Sequence, residues 1–265
     1  MINIQRIRSA VSCCGCQIWP LPLERVRRVA LHTLTELGAS IAIGAACTPF
    51  LPANDSLAIL GIGLAAQTAI NLCLRIGREY AASQDPQWEP SIPTRAMGYT
   101  APIVFVANSG LNAIVLWHEF GHFCAAKLLL SHSNPSIVIT PYAGGITSYQ
   151  DSIVSNIGNA FGSNEVLPLI ASAGPGFSVL AAPFYYLGYR ASRHKWPEFS
   201  RVLIIMAVTS YTTESIYAIS TLWNHHGDFQ RLWRVGVHPI VSVFILNSAP
   251  LTLLSVRTIR RLLRR

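Results

Sequence analysis

Leu116–Lys127 reads L-W-H-E-F-G-H-F-C-A-A-K and lies inside a run, Ala101 to Leu130, that is apolar almost throughout. Crossing the ~30 Å hydrocarbon layer of a bilayer takes ~20 apolar residues as a helix. The run is longer than one crossing needs and is interrupted by Asn108, Ser109, Gly110 and Asn112, so it is expected to project beyond the bilayer or to kink there. The quoted stretch contains H-E-x-x-H, with His118 and His122 four residues apart and Glu119 between them. On a helix that spacing puts both imidazoles on one face, one turn apart, where they can share a cation. Glu119 sits beside the pair, placed to act as a base toward water. The competing explanation is a pair of packing histidines. An ionisable group at bilayer depth costs ~2.5–3.5 kcal/mol or more, and no structural need in a bilayer requires two histidines and a carboxylate within five residues.

The rest of the composition agrees with a membrane location. Of 265 residues 51% are hydrophobic and 12% charged, against ~25% charged in a soluble domain. Six apolar stretches are expected to span: Val29–Phe50, Ser56–Leu74, Ala101–Leu130, Val166–Tyr189, Val202–Trp223 and Val237–Val256. The fold class is therefore an all-α polytopic membrane protein of about six transmembrane helices. Residues 1–28 form a basic segment without the apolar core of a secretory signal, and the first span would serve as an uncleaved anchor. Cys13, Cys14 and Cys16 lack paired C-x-x-C spacing and read as free thiols near a membrane surface or as acylation sites. Cys47, Cys73 and Cys124 read as small packing residues, with no disulfide framework implied.

Other features are assigned locally. His32 and Glu36 are also four apart and are expected to pair at the interface. Arg75–Met97, with Pro86, Pro90 and Pro93, is expected to be a polar connector, and Asp151–Asn164 a polar linker. Ile137–Thr140 and Ile146–Tyr149 are β-like runs separated by Pro141 and by Gly144 and Gly145, which suggests a small β-hairpin or else an ordinary loop. An open strand edge there could hold an extended peptide by backbone hydrogen bonds. Ala173-Gly174-Pro175-Gly176-Phe177-Ser178 offers a small-residue face for close helix approach. The fifth span carries Glu214 and runs into Asn224-His225-His226-Gly227-Asp228. The net charge of +8 sits in segments beside spans, which suits orientation and anionic lipid rather than nucleic acid.

H-E-F-G-H, a Gly-Gly strand loop, A-G-P at Ala173–Pro175 and then Gly227-Asp228 occur in that order. This resembles the site-2 protease family, the M50 intramembrane zinc metallopeptidases, over about residues 101–230. Ser178 stands where the family's G-P-x-x-N has Asn, and the order Gly-Asp replaces Asp-Gly. The resemblance implies a three-helix metalloprotease core of spans three to five, with residues 29–100 supplying two accessory helices and a linker and residues 231–265 a last span and basic tail. It also implies Zn²⁺ held by His118, His122 and Asp228, Glu119 as catalytic base, and a transmembrane segment of another protein as substrate. Gly144 and Gly145 are the candidates for holding that segment. Counted along ideal helices at ~1.5 Å per residue, the histidine pair lies between Glu214 and Asp228 in depth. Gly227, which can end or bend a helix, favours Asp228, leaving His225, His226 and Glu214 as alternatives. Glu214 is expected to lie among the hydroxyls of Thr212, Thr213 and Tyr217.

Two other function classes fit the same residues. One is an inactive member that binds transmembrane helices without cutting them, and the other is an ion-coupled transporter. Orientation follows from charge: with six spans, 17 of the 20 Lys and Arg fall on the side of the termini, leaving Lys127, Arg231 and Arg234 opposite. The positive-inside rule puts both termini in the cytoplasm. The metal helix then places its site toward the other face, whereas site-2 proteases usually hold theirs nearer the cytoplasm.

Overall fold

The structure, a computed structural model, describes residues 21–52, 54–84, 96–150, 153–248 and 250. Its helices are α1 (Leu23–Cys47), α2 (Asn54–Gln84), α3 (Thr100–Phe105), α4 (Leu111–Leu129), α5 (Asn156–Phe161), α6 (Val166–Ser192), α7 (Pro197–Asn224) and α8 (Asp228–Arg234). A shorter apolar helix, α9, covers Pro239–Ser248. The strands β1 (Ser136–Thr140) and β2 (Gly144–Ser148) make the one sheet among the described residues, an antiparallel pair. Five stretches are long and apolar enough to cross a membrane: Leu23–Phe50, Asp55–Gln84, Thr100–Leu129, Ser163–Ser192 and Pro197–Asn224. Of the sixth expected span, α9 is the described part; the basic tail, Cys13, Cys14, Cys16 and Pro86–Pro93 lie outside the described residues.

The interruption expected at Asn108-Ser109-Gly110 is a π-turn, Val106–Gly110, which joins α3 to α4 without breaking the helical path. Such turns widen a helix by one residue and are frequent at functional positions. α6 lies between α4 and α7 and packs extensively on both. Glycine makes the α4–α6 approach possible. A Cβ on Gly121 would stand 2.5 Å from the Ala173 carbonyl oxygen, closer than atoms pack. Below this contact Ala126, Leu129, Leu130, Val166 and Ile170 form a buried apolar cluster. β1 buries Ile137 and Ile139 against Cys47 of α1 and is flanked by Val115, Leu116 and Phe123 of α4.

Four local expectations are corrected. α2 continues through Gln84, so Arg75–Gln84 is helix rather than connector; the stretch contains no Pro, and Arg75 and Glu79 have ionic partners on neighbouring helices. Asp151–Asn164 is not wholly linker, because the Ser155 hydroxyl accepts a hydrogen bond from the Gly158 amide at 3.0 Å and starts α5. Gly144 and Gly145 belong to β2 and pair with Thr140 and Ile139, so the turn is Pro141–Ala143. His32 pairs with Glu198 at 3.6 Å, while Glu36 pairs with Arg75; both partners lie on other helices, where charges can meet away from the lipid-facing surface.

Candidate metal centre

His118 and His122 project from one face of α4 toward α6 and α7, and both are buried. The His122 Nδ1 lies 2.7 Å from the Ile170 carbonyl oxygen on α6. A carbonyl only accepts, so Nδ1 carries the proton and Nε2 is left with its lone pair. His118 Nδ1 lies 2.8 Å from Glu214 Oε1 on α7, with the Ser178 hydroxyl at 3.5 Å. As a carboxylate Glu214 accepts from this N–H, and the His118 Nε2 lone pair is likewise free. The two Nε2 atoms are 3.1 Å apart, and Asp228 Oδ2 is 3.2 Å from one and 3.0 Å from the other.

Three electron-pair donors thus converge with their other hydrogen-bonding capacity committed elsewhere, an arrangement that a shared cation satisfies. Donors held ~2.0–2.1 Å from one tetrahedral centre are ~3.3 Å apart, close to the separations here. The N₂O donor set suits zinc. The surroundings are cut to leave room. A Cβ on Gly174 would stand 2.3 Å from His122 Nε2 and 2.7 Å from His118 Nε2, so any side chain at that position would fill the space beside the donors. Among the described residues, these three are the His, Cys, Asp or Glu side chains whose ligand atoms gather in this way.

Asp228 reaches the histidines because the chain reverses immediately after α7. His225 takes a left-handed backbone (φ 51°) that ends the helix, and Gly227 turns the chain at φ 88° into α8. The glycine is required twice over, since a Cβ there would also stand 2.0 Å from the Tyr217 hydroxyl. That hydroxyl accepts from the Asp228 amide at 2.9 Å and donates to Asp228 Oδ2 at 3.2 Å, fixing the carboxylate. His225 and His226 are exposed on the turn, and His226 lines the cavity without joining the cluster.

Glu119 lines the same cavity and is held by the hairpin. The Thr147 hydroxyl of β2 lies 2.7 Å from Glu119 Oε2 and 3.0 Å from its backbone carbonyl oxygen. Gly145 permits this contact, because a Cβ there would stand 2.5 Å from Glu119 Cγ. Gly144 lies one residue along, at the start of β2, with φ 124°. A cavity of about 590 Å³ joins these groups, lined by His118, Glu119, His122, Gly145, Thr147 and Asp228 among others.

The sequence reading brought the histidine pair, Glu119 and Asp228 to one place, and the structure gathers them around one cavity. It held Glu214 as an alternative ligand, expected among Thr212, Thr213 and Tyr217, and did not foresee its bond to the His118 Nδ1. Those threonine hydroxyls bond the Val208 and Thr209 carbonyls of their own helix, which leaves Glu214 to His118. Tyr217 and Thr147 were also missed. The signal for Tyr217 was its spacing, three residues beyond Glu214 and so on the same helix face. Comparison with protein-family models, with curated proteins and with solved structures found no match to this chain.

Proposed function

We propose that this chain is an intramembrane zinc metallopeptidase of the site-2 protease kind, cutting peptide bonds in or near transmembrane segments of other proteins. The observation that carries the proposal is the convergence of two Nε2 lone pairs and one carboxylate oxygen, beside a second carboxylate, on a helix apolar enough to span and the turn that follows another. His118, His122 and Asp228 would hold the ion. Zinc, when bound, polarises a carbonyl and makes water a nucleophile near neutral pH. Glu119 is the base: it takes the proton from the attacking water and delivers it to the departing amine nitrogen as the C–N bond breaks. Glu214 and the Ile170 carbonyl hold the two imidazoles in the tautomer that presents Nε2.

The proposed substrate position is along β2. This strand pairs with β1 on one side, and its Gly144–Thr147 segment lines the cavity. An extended peptide added there would offer backbone hydrogen bonds while its scissile carbonyl lies near Glu119. The proposed setting is a lipid bilayer with both termini in the cytoplasm. A cysteine placed at the exposed Asn159 of α5, between the third and fourth spans, in a chain otherwise cleared of reactive thiols, would then label from outside intact cells. Protection from that reagent would reverse the orientation.

The deciding experiment uses the detergent-purified full chain, measuring bound metal and cleavage of model transmembrane peptides. About one zinc per chain and chelator-sensitive cleavage are expected, with Glu119→Gln keeping the metal and losing the cleavage. A wild type that stays metal-free after zinc supplementation refutes the proposal. Stoichiometric zinc without cleavage of any tested transmembrane peptide would instead favour a helix-binding or ion-relay role.

A further inference from the structure

The hairpin turn is tied to α2, a helix outside the three that build the metal centre. Tyr142, at the turn, has a left-handed backbone (φ 63°), a conformation that a bulky residue adopts only when its surroundings hold it. Its amide lies 3.3 Å from Asn112 Oδ1 on α4, and its hydroxyl hydrogen-bonds the Asn108 side chain in the π-turn. The ring tip rests on α2 where that helix has no side chain: a Cβ on Gly63 would stand 2.0 Å from the Tyr142 hydroxyl and 2.9 Å from Asn108 Oδ1. Gly61, two residues earlier, has open space around its Cα. Only Gly63 of this pair is shaped by a contact.

A polar ladder continues from this contact into the accessory helices. Asn108 Nδ2 donates to Gln67 Oε1 at 2.7 Å, and the Ser109 hydroxyl donates to the same oxygen at 2.9 Å. Gln67 Nε2 in turn donates to Ser40 on α1 at 2.8 Å and to Glu36 at 3.3 Å. Gly145 and Thr147, three and five residues beyond Tyr142, meet Glu119. One continuous path therefore runs from Gly63 through Tyr142 and the start of β2 to the carboxylate.

We propose that Gly63 and Tyr142 form a knob-and-socket that sets the height of the hairpin over Glu119, making the α1–α2 pair a positioning element of the site. The proposal rests on the peptidase reading for its consequence in catalysis, but the contact itself is independent of it. Moving Tyr142 outward would lift β2 away from Glu119 and from the strip where an extended substrate pairs. The effect would fall on substrate pairing along β2 and on the setting of Glu119, while the metal donors, bonded to α6, to α7 and to one another, keep their places.

The test compares Gly63→Ala, Gly61→Ala, Tyr142→Phe and the double variant Gly63→Ala/Tyr142→Phe in the purified full chain. Alanine favours a helix more than glycine does, so loss at position 63 cannot be assigned to weakened helix formation. Amide hydrogen exchange across Ser136–Ser148 reads hairpin position without any activity. Gly63→Ala should raise exchange there about tenfold, raise KM about fivefold and lower kcat a few-fold, while bound zinc stays unchanged. The double variant, which removes the 2.0 Å clash but keeps the 2.9 Å approaches of the ring carbon and of Asn108 Oδ1, should return both readouts part of the way to those of Tyr142→Phe alone. Gly61→Ala should match wild type. Unchanged hairpin exchange in Gly63→Ala, or equal damage in Gly61→Ala, overturns the proposal, as does a double variant no better than Gly63→Ala. A wild type that cuts nothing would defeat the peptidase reading alone, with hydrogen exchange still deciding the socket.

Discussion

The two halves of this helical assembly are joined by opposite means. In the three spans that enclose the metal centre, 44%, 39% and 28% of the most apolar stretch is buried; in α1 and α2 the figure is 11% each. The first group packs through glycines and apolar clusters, as at Gly121 against Ala173. The second has little apolar packing and holds on through a buried polar ladder: Arg75 to Glu36 and Glu198, Asn71 to Glu36 and the Ala101 carbonyl, Gln67 to Asn108 and Ser109. Between apolar helices in lipid there is no hydrophobic driving force, so hydrogen bonds and close packing must supply the attachment. The difference in satisfaction matters more than the difference in polarity. The ladder joins donors to acceptors along most of its length, whereas the His118–His122–Asp228 cluster aims three acceptors at one point. A satisfied network stabilises and specifies; an unsatisfied convergence of donor atoms is built for a ligand.

The sharpest test of that contrast is Asp228→Ala. It should abolish cleavage and reduce bound zinc to a small fraction of a molar equivalent, measured by metal analysis after gel filtration. Retained metal and activity would move the third ligand elsewhere. Next in size is the ladder: Glu36→Leu leaves Arg75 without its nearest carboxylate, a loss that costs about 3–5 kcal/mol for a buried pair. A large fall in thermal stability is expected with zinc content unchanged. Recovery in Glu36→Leu/Arg75→Met would confirm attachment rather than chemistry, and metal loss in the single variant would erase the distinction between the halves. Glu214→Gln should weaken zinc binding about 10–100-fold by loosening the His118 tautomer, measured by competition with a chromophoric chelator. Smallest is Tyr217→Phe, which removes the two hydrogen bonds the hydroxyl makes with Asp228, about 0.5–1.5 kcal/mol each, and should weaken zinc binding a few-fold to about tenfold.

The legible parts of this molecule were those governed by local spacing. Apolar length marked six stretches, five of which are helices that could cross a membrane, and the i,i+4 rule placed His118 and His122 on one face. The hairpin was legible as two β-like runs, but the sequence placed Gly144 and Gly145 in its turn. Glycine there serves a different need, since Gly145 is small because Glu119 lies against it. The partners of Glu214, Glu36 and His32 were illegible for one common reason. Each lies on another helix, 96 residues away for Glu214 and 39 for Glu36, and sequence neighbours give no hint of it. The π-turn was visible only as an interruption by polar residues. Its role in turning Asn108 and Ser109 toward α2 needed the tertiary arrangement.

The length of α2 fixes where the hairpin lies. The helix has 31 residues and so reaches ~46 Å, well beyond the ~30 Å of a hydrocarbon layer. Its uncharged part, from Leu57 to Leu74, accounts for ~27 Å of that reach at ~1.5 Å per residue, which matches the layer and leaves Arg75 onward at the headgroups. Gly63 is six residues inside the opposite margin, ~9 Å below it by the same rise. Since Tyr142 rests on Gly63, the hairpin turn meets α2 within that uncharged stretch, at hydrocarbon depth in the proposed setting. A peptide stretched out at that level would have no water to solvate its amides and carbonyls. In the proposed peptidase the free margin of β2 would then be the most favourable place nearby for such a chain to settle, and the scarcity of water itself would be part of what draws it there.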